Sequence, residues 1–206
     1  MSAADLLTIT FLRHGRSRAD DEGVLEGRYD APLTETGRAQ AQARAEGWLR
    51  EERIFDRAIC STLQRARATA EIVTGRLNVP LESDPDWMEY DSGAMAGLTF
   101  AEAERRFPRP AFRGPYEARA GSGESEIDIH TRAARALQNL IRRGPGRYLV
   151  VAHGGVLNAA LRVITGAPHP INGSGIWFRF GDLGYATFTY QPDRHVWTMR
   201  ELVETE

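Results

Sequence analysis

Two stretches of this chain bring a histidine and a glycine to the end of an apolar run. Thr8-Ile9-Thr10-Phe11 leads through Leu12 into Arg13-His14-Gly15, and Tyr148-Leu149-Val150-Val151-Ala152 leads into His153-Gly154-Gly155. A β-branched, apolar run that stops at such residues reads as a buried strand delivering side chains to its own end. Either histidine alone reads equally well as a residue packed at a strand end. Arg65, just beyond a third short apolar run, Ala58-Ile59-Cys60, could reach the same place, although a single arginine is more often a solvated surface residue. Two arginines and two histidines converging at strand ends would form a dense cationic site of strong hydrogen-bond donors. A tetrahedral phosphoryl group fits such a site, and a neutral imidazole nitrogen can act as its nucleophile. Gly15, having no Cβ, would let the backbone approach the ligand. Glu89 lies beside Trp87 and Met88, where partial desolvation favours the protonated form of a general acid; an exposed loop glutamate is the plainer alternative.

These residues need elements to position them. After Gly15, the stretch from Arg16 to Arg28 is charged, glycine-rich and without period, so it reads as a loop over the strand end. Thr34 can cap a helix through the alanine-rich stretch to Leu49, which Trp48 and Leu49 would anchor. Ser61 with Gln64 three residues on resembles a capping box, and Leu63, Ala66, Ala70, Val73 and Leu77 then share one helical face. Val79 to Glu82 suggests another strand, and Asp84 to Gly97 an irregular pocket wall. From about 98 to 127, arginines alternate with aromatics, prolines and glycines in no clear period, which predicts a lid or insertion. Asp128 can cap a helix with Ala133, Ala136, Leu137, Leu140 and Ile141 on its apolar face. A further helix follows His153 and ends near Gly166. Ile176 to Phe180, Ala186 to Tyr190 and Val196 to Met199 read as short strands. Alternating strand and helix predict one domain over residues 1–206, three-layer α/β/α. Its sheet would be mainly parallel, with one edge extended by C-terminal antiparallel strands and the ligand at the strands' carboxyl ends.

Composition narrows the chemistry. A chain of 206 residues, 42% of them hydrophobic, can bury a full core. The formal charge of −2 argues against a mainly electrostatic nucleic-acid or membrane binder. Every basic residue is arginine, which removes lysine Schiff-base chemistry and the lysine-containing phosphate loop. The single cysteine, Cys60, excludes an intrachain disulfide and a cysteine-rich zinc site, and its apolar surroundings predict an inert thiol. No positive residue precedes Leu6-Leu7 and the apolar run ends at Arg13, so neither a signal peptide nor a membrane span is expected. A cytoplasmic location is the default expectation.

The ordered set Arg13-His14-Gly15, Gly27-x-x-Asp30-x-Pro32-Leu33-Thr34-x-x-Gly37, Ser61-x-Leu63-x-Arg65-Ala66 through Thr69-Ala70, Glu89 with Gly93 and Gly97, Gly123-Glu124-Ser125 with Asp128 and Arg132, and Ala152-His153-Gly154-Gly155 resembles the histidine phosphatase superfamily, its phosphoglycerate mutase-like branch. The resemblance runs from Leu12 to about Gly155. It implies that His14 attacks phosphorus and becomes a phosphohistidine, while Arg13, Arg65 and His153 hold the equatorial oxygens. Glu89 would protonate the leaving alkoxide and then take a proton from the hydrolytic water. Gly15, Ser17, Asp20, Gly27, Gly154, Glu124 and Ser125 are expected on the substrate side. Neither metal nor cofactor is implied. To keep its attacking nitrogen free, His14 should donate from the other nitrogen to a backbone carbonyl.

Two positions depart from the pattern. Asp20 stands where many relatives have an asparagine, and Arg16 follows the first-motif glycine where an acidic or amide side chain is common. A carboxylate beside a phosphate dianion is repulsive, so Asp20 should be paired with Arg16 or Arg18, or turned away. The expected activity is metal-independent hydrolysis of a small-molecule phosphate monoester. The alternatives are a cofactor-dependent phosphoglycerate mutase, whose relatives usually carry a longer insertion after the glutamate motif, and a non-catalytic phospho-ligand binding or scaffold protein. The expected partner is a small phosphorylated molecule, with no nucleic acid and no membrane; a homodimer is left open. His130, His169 and His195 read as surface or capping residues, and Arg105, Arg106, Arg109 and Arg113 as either an anion-selecting lid or a solvated charge run.

Overall fold

A computed structural model describes residues 6–172 and 174–205. Along the chain come β1 (Leu7–Arg13), α1 (Arg18–Glu22), α2 (Glu35–Arg50), β2 (Arg57–Cys60), α3 (Gln64–Leu77), β3 (Leu81–Ser83), α4 (Phe100–Arg106), α5 (Glu126–Ile141), β4 (Gly146–Ala152), α6 (Gly154–Thr165), β5 (Tyr185–Gln191) and β6 (Val196–Val203). The strands form one sheet in the order β3-β2-β4-β1-β5-β6. The first four are parallel, while β5 runs antiparallel to β1, and β6 to β5. Helices cover both faces, so the fold is a three-layer α/β/α sandwich.

Strand alternation builds the two cores. In β1, Ile9 and Phe11 face the layer of α5 and α6, and Leu12 faces that of α2 and α3; in β4, Val150 and Ala152 divide from Leu149 and Val151 in the same way. The helices meet these faces with matched stripes: Ile129, Ala133, Ala136, Leu137 and Leu140 on α5, Ala41, Ala45 and Trp48 on α2. Thr34 Oγ1 accepts the Gly37 N–H at 3.0 Å and starts α2. Leu49, expected as a second anchor, is exposed because it falls one residue past the Trp48 stripe. Cys60 is buried in the α2/α3 core, and burial pushes its thiol pKa up.

Several local expectations are corrected. The stretch from Arg16 to Arg28 contains α1, too short to show a period, closed by Gly23 in the left-handed region. Ser61 does not cap α3, which begins at Gln64; the Asp30 carboxylate accepts the Gln64 N–H at 2.7 Å instead. The N-cap of α5 is Ser125, with Asp128 three residues on closing the capping box at 2.9 Å to the Ser125 N–H. Ile176 to Phe180 has strand-like residues but pairs with no strand; Ile176 and Trp177 are exposed on a loop. The segment 98–127 forms α4 and then runs without helix or strand to Ser125. Among the described residues, no helix is long and apolar enough to cross a membrane.

Candidate active site

The parallel pairing of β1 and β4 sets Arg13 opposite Ala152, so His14 and His153 leave adjacent strands at the same level. The His14 N–H donates to Ala152 O at 3.0 Å, and the two rings meet edge-on with centroids 4.9 Å apart. Both histidines are fully buried. Each ring has one nitrogen hydrogen-bonded to its surroundings. His14 Nδ1 lies 2.8 Å from Gly15 O, a carbonyl that can only accept, so the hydrogen is on Nδ1. Its Nε2 accepts from Arg65 Nε at 3.2 Å. Ser61 Oγ accepts the Leu63 N–H at 3.2 Å and lies 2.8 Å from His153 Nε2; with the hydroxyl donating to Nε2, the hydrogen of His153 is on Nδ1. That nitrogen is buried without a partner. Burial first, then Arg65, His14 and Arg13, hold the His153 pKa well below the ordinary histidine value. Ser61 thus orients His153, a role hidden in the sequence by its resemblance to a helix cap.

The second residue of α3, Arg65, is fully buried rather than solvated. Its Nη1 and Nη2 donate to Tyr29 O and Gly27 O, each at 2.9 Å, and its Nε lies 3.4 Å from Glu26 Oε1. Arg13 donates to Asp182 Oδ1 at 2.8 Å. Both arginines therefore have a carboxylate partner, and the site is rich in donors without the dense positive charge expected.

Glu26 and Asp182 were not legible as site residues. The first sits in an aperiodic loop, and the second in a turn 169 residues from its partner. Glu26 also accepts from Ser17 Oγ and lies 3.5 Å from His14 Nε2. Burial opposes its charge, but His14, Arg65 and Ser17 together hold its pKa well below the usual carboxylate range. Its negative charge stands beside the nitrogen that would meet an anion. Glu26→Gln is therefore expected to lower the competitive inhibition constant of orthovanadate on the order of tenfold, a Coulombic effect. An unchanged or raised constant would show that the charge does not reach the anion pocket.

Glu89 sits in a polar cradle instead of an apolar one. Its Oε1 accepts from Tyr90 N and Val156 N at 2.7 and 3.0 Å, and its Oε2 from Gly155 N at 2.9 Å. These bonds place it on the first turn of α6, where backbone N–H groups are free. Trp87 is not its neighbour in function: that ring packs in the core, 5.9 Å from Phe11. A Cβ on Gly155 would come within 2.4 Å of Glu89 Oε1, so glycine there makes the close approach possible. Arg132 fixes the loop carrying Glu89, donating to Asp86 O, Met88 O and Glu89 O at 2.8, 2.7 and 3.1 Å.

The remaining expected residues divide. Asp20, Gly27 and Gly154 line a cavity of about 870 Å³, together with Arg13, Glu26 and Glu89. Asp20 is turned back onto the Ser17 N–H at 2.7 Å, while Arg16 pairs with Asp21 and Arg18 with Glu22. Gly15 is required for packing, since a Cβ would lie 2.7 Å from Gly37 O; this corrects its expected role in ligand approach. Ser17 is buried against Glu26, and Ser125 caps α5. Glu124 is held by Arg132 at 2.7 Å through both oxygens. Those three hold the scaffold, contrary to expectation, and neither they nor His14, Arg65 and His153 are among the residues lining the cavity. Arg109 and Arg113 line it, whereas Arg105 and Arg106 do not. His130 and His169 are half-buried with ring centroids 4.1 Å apart, and His130 lines the cavity instead of the outer surface. His195 accepts or donates a bond with Tyr190 Oη at 2.9 Å in the β5–β6 turn.

Comparison with known proteins addresses the family and the fold. The sequence pattern of the histidine phosphatase superfamily (branch 1) matches residues 9–200. The chain is 33% identical over 162 residues to phosphoglycerate mutase-like protein 4 of Arabidopsis thaliana, covering 75% of this chain and 70% of that protein. It is 31% identical over 171 residues to the metal-independent phosphoserine phosphatase of the same plant, covering 80% and 71%. In fold it is similar to a mycobacterial glucosyl-3-phosphoglycerate phosphatase solved with VO3, with a TM-score of 0.79, 24% identity and coverage of 97% and 100%.

Proposed function

This chain belongs to the histidine phosphatase superfamily, branch 1, and from that premise we propose that it is a metal-independent phosphatase hydrolysing a small-molecule phosphate monoester through a phosphohistidine on His14. The observation that carries the reading is the state of the two buried rings. His14 keeps its hydrogen on Nδ1, bonded to Gly15 O, so Nε2 has the lone pair for attack. Beside it, His153 Nδ1 is buried without a partner, and with Ser61 donating to Nε2 it carries a hydrogen that a phosphoryl oxygen would accept.

In the proposed first step, His14 Nε2 forms a bond to phosphorus while the bond from phosphorus to the leaving oxygen breaks. Arg13, Arg65 and His153 donate to the equatorial oxygens, and Glu89 gives its proton to the departing alkoxide. In the second step, water attacks phosphorus, Glu89 takes its proton, and the bond to Nε2 breaks. Resting Glu89 only accepts hydrogen bonds, which suits the base of the second step. For the first, negative charge on the bound substrate favours the proton-carrying form of a neighbouring carboxylic acid. Arg65 must exchange its contact with His14 Nε2 for one with the substrate, and its carbonyl partners Gly27 and Tyr29 hold it in place as it does so.

Incubation with p-nitrophenyl phosphate and, separately, with 3-phosphoglycerate tests this reading. Release of inorganic phosphate from the first, without formation of 2-phosphoglycerate from the second, is the expected result. Interconversion of the phosphoglycerates in the presence of the bisphosphate would place the chain with the mutases, and no turnover of either would leave a phospho-ligand binding protein.

A further inference from the structure

The cavity is much larger than a phosphoryl group needs and runs along α6. Gly154, at the first turn, lines it, as do Asn158 and Arg162, one and two turns further on. Eight residues of helix rise by roughly 12 Å, so this stripe leads well away from His153. Asn158 is committed: its amide exchanges two hydrogen bonds with the Phe178 backbone, each 2.8 Å. The middle of the stripe therefore presents no free polar group from that side chain, and Ile129 and Phe178 flank it with apolar surface.

Arg162 is different. It is 4% exposed and lines the cavity, yet no carboxylate lies within ion-pair distance among the described residues. Its Nη2 donates to Ile176 O at 2.7 Å, its Nε has no partner, and its guanidinium lies 5.4 Å from the centre of the Trp177 ring. Glu126, the carboxylate that acts on it from a distance, is bonded to Arg119 at 3.2 Å. Arg13 and Arg65, by contrast, each have a carboxylate partner. A buried cation without a counter-charge is costly, and a bound anion would supply what is missing. His130, in the same wall, is pushed down to about 4 by burial, His169 and Arg162, so it adds no second charge at neutral pH. Arg109, Arg113, Arg119 and Arg179 also line the cavity but none of them is buried, so the end of the stripe offers one buried positive charge, which matches a carboxylate better than a phosphate dianion.

We infer that Arg162 anchors a second anion subsite, and that the substrate is a phosphomonoester whose apolar leaving group carries a carboxylate roughly 12 Å from the phosphoryl pocket. This inference rests on the phosphatase reading for its substrate, but not for its binding test. The phosphoryl end lies where Arg13, Glu89 and Gly154 line the cavity, Arg13 and Gly154 being the chain neighbours of His14 and His153; the spacer passes Asn158 between Ile129 and Phe178, and the carboxylate meets the Nε edge of Arg162 beside Trp177.

The test compares 4′-carboxybiphenyl-4-yl phosphate with its 4′-carboxamide, which differs only in the charge at the far end. The wild-type chain is expected to favour the carboxylate by about tenfold or more in kcat/KM, the scale of a charge-assisted hydrogen bond. Arg162→Gln, which can still donate to Ile176 O, should bring the ratio to about one, and Arg162→Lys should restore part of it. A wild-type ratio near one, or a ratio unchanged in Arg162→Gln, overturns the inference; if that variant does not fold, the wild-type ratio and Arg162→Lys decide. Should the wild type hydrolyse p-nitrophenyl phosphate but neither ester, the inference is overturned; should it hydrolyse none of the three, the phosphatase reading has failed. The subsite is then tested by titration calorimetry with the two corresponding difluoromethylphosphonates. Tighter binding of the carboxylate by the wild type alone supports it, and equal or absent binding of the pair overturns it.

Discussion

His14→Ala is expected to reduce kcat on p-nitrophenyl phosphate by about 10⁴- to 10⁶-fold, the range seen when a covalent nucleophile is removed from a site that otherwise stays intact. The size of the effect follows from the position of His14. Its ring is fully buried, oriented through Nδ1 by Gly15 O, and approached at Nε2 by Arg65. With Ser61 donating to its Nε2, His153 carries its hydrogen on Nδ1, where it can donate but not attack. A small cavity in place of the imidazole would leave the arginines and Glu89 where they are. The variant should therefore still bind orthovanadate while losing turnover. Residual activity within tenfold of the wild type would remove His14 from the nucleophile's role.

Glu89→Gln should separate two kinds of substrate. With an alkyl phosphate, whose alkoxide leaves poorly without a proton, kcat is expected to fall by about 10²- to 10⁴-fold. With p-nitrophenyl phosphate, whose phenolate needs no proton to leave, phosphorylation of His14 should be much less affected. The comparison also controls for damage to the site. Glutamine would turn an NH₂ toward one of the three N–H donors that now bond Glu89, and any displacement of the first turn of α6 would slow both substrates alike. Because both substrates share the water-attack step, the comparison is made on His14 phosphorylation in a single turnover; equal losses there would assign Glu89 a structural part at the start of α6 and leave the leaving-group proton to another source.

The parts of the fold that could be read from the sequence are those in which burial writes a period. β1 and β4 are continuous apolar runs because helices cover both faces of the sheet, and α5 shows its inward stripe at steps of three and four. Reading both strands as ending in histidine placed His14 and His153 at one edge, and their register in the sheet makes them neighbours. What could not be read were the counter-charges. Glu26 and Asp182 meet Arg65 and Arg13 only through tertiary folding, and nothing in a charged loop or a Gly-Asp turn distinguishes a carboxylate that faces an arginine from one that faces water. Local motifs also misled where two explanations share one pattern. Ser61 resembled a helix cap but serves His153, and Asp128 resembled a cap but belongs to the box that Ser125 begins. Ile176 to Phe180 had the composition of a strand, yet its aromatic residues form the wall of the cavity. Gly15 was explained by ligand approach when the carbonyl of Gly37 already occupies the space.

The covalent intermediate gives the most direct test of the central claim. The wild-type chain, mixed with substrate and quenched in alkali during turnover, is digested and its peptides are measured by mass. A phosphoryl group on His14, stable in base and lost in acid, is the predicted result. Quenched turnover with no phosphorylated histidine, or with the phosphoryl group on another residue, would contradict the account.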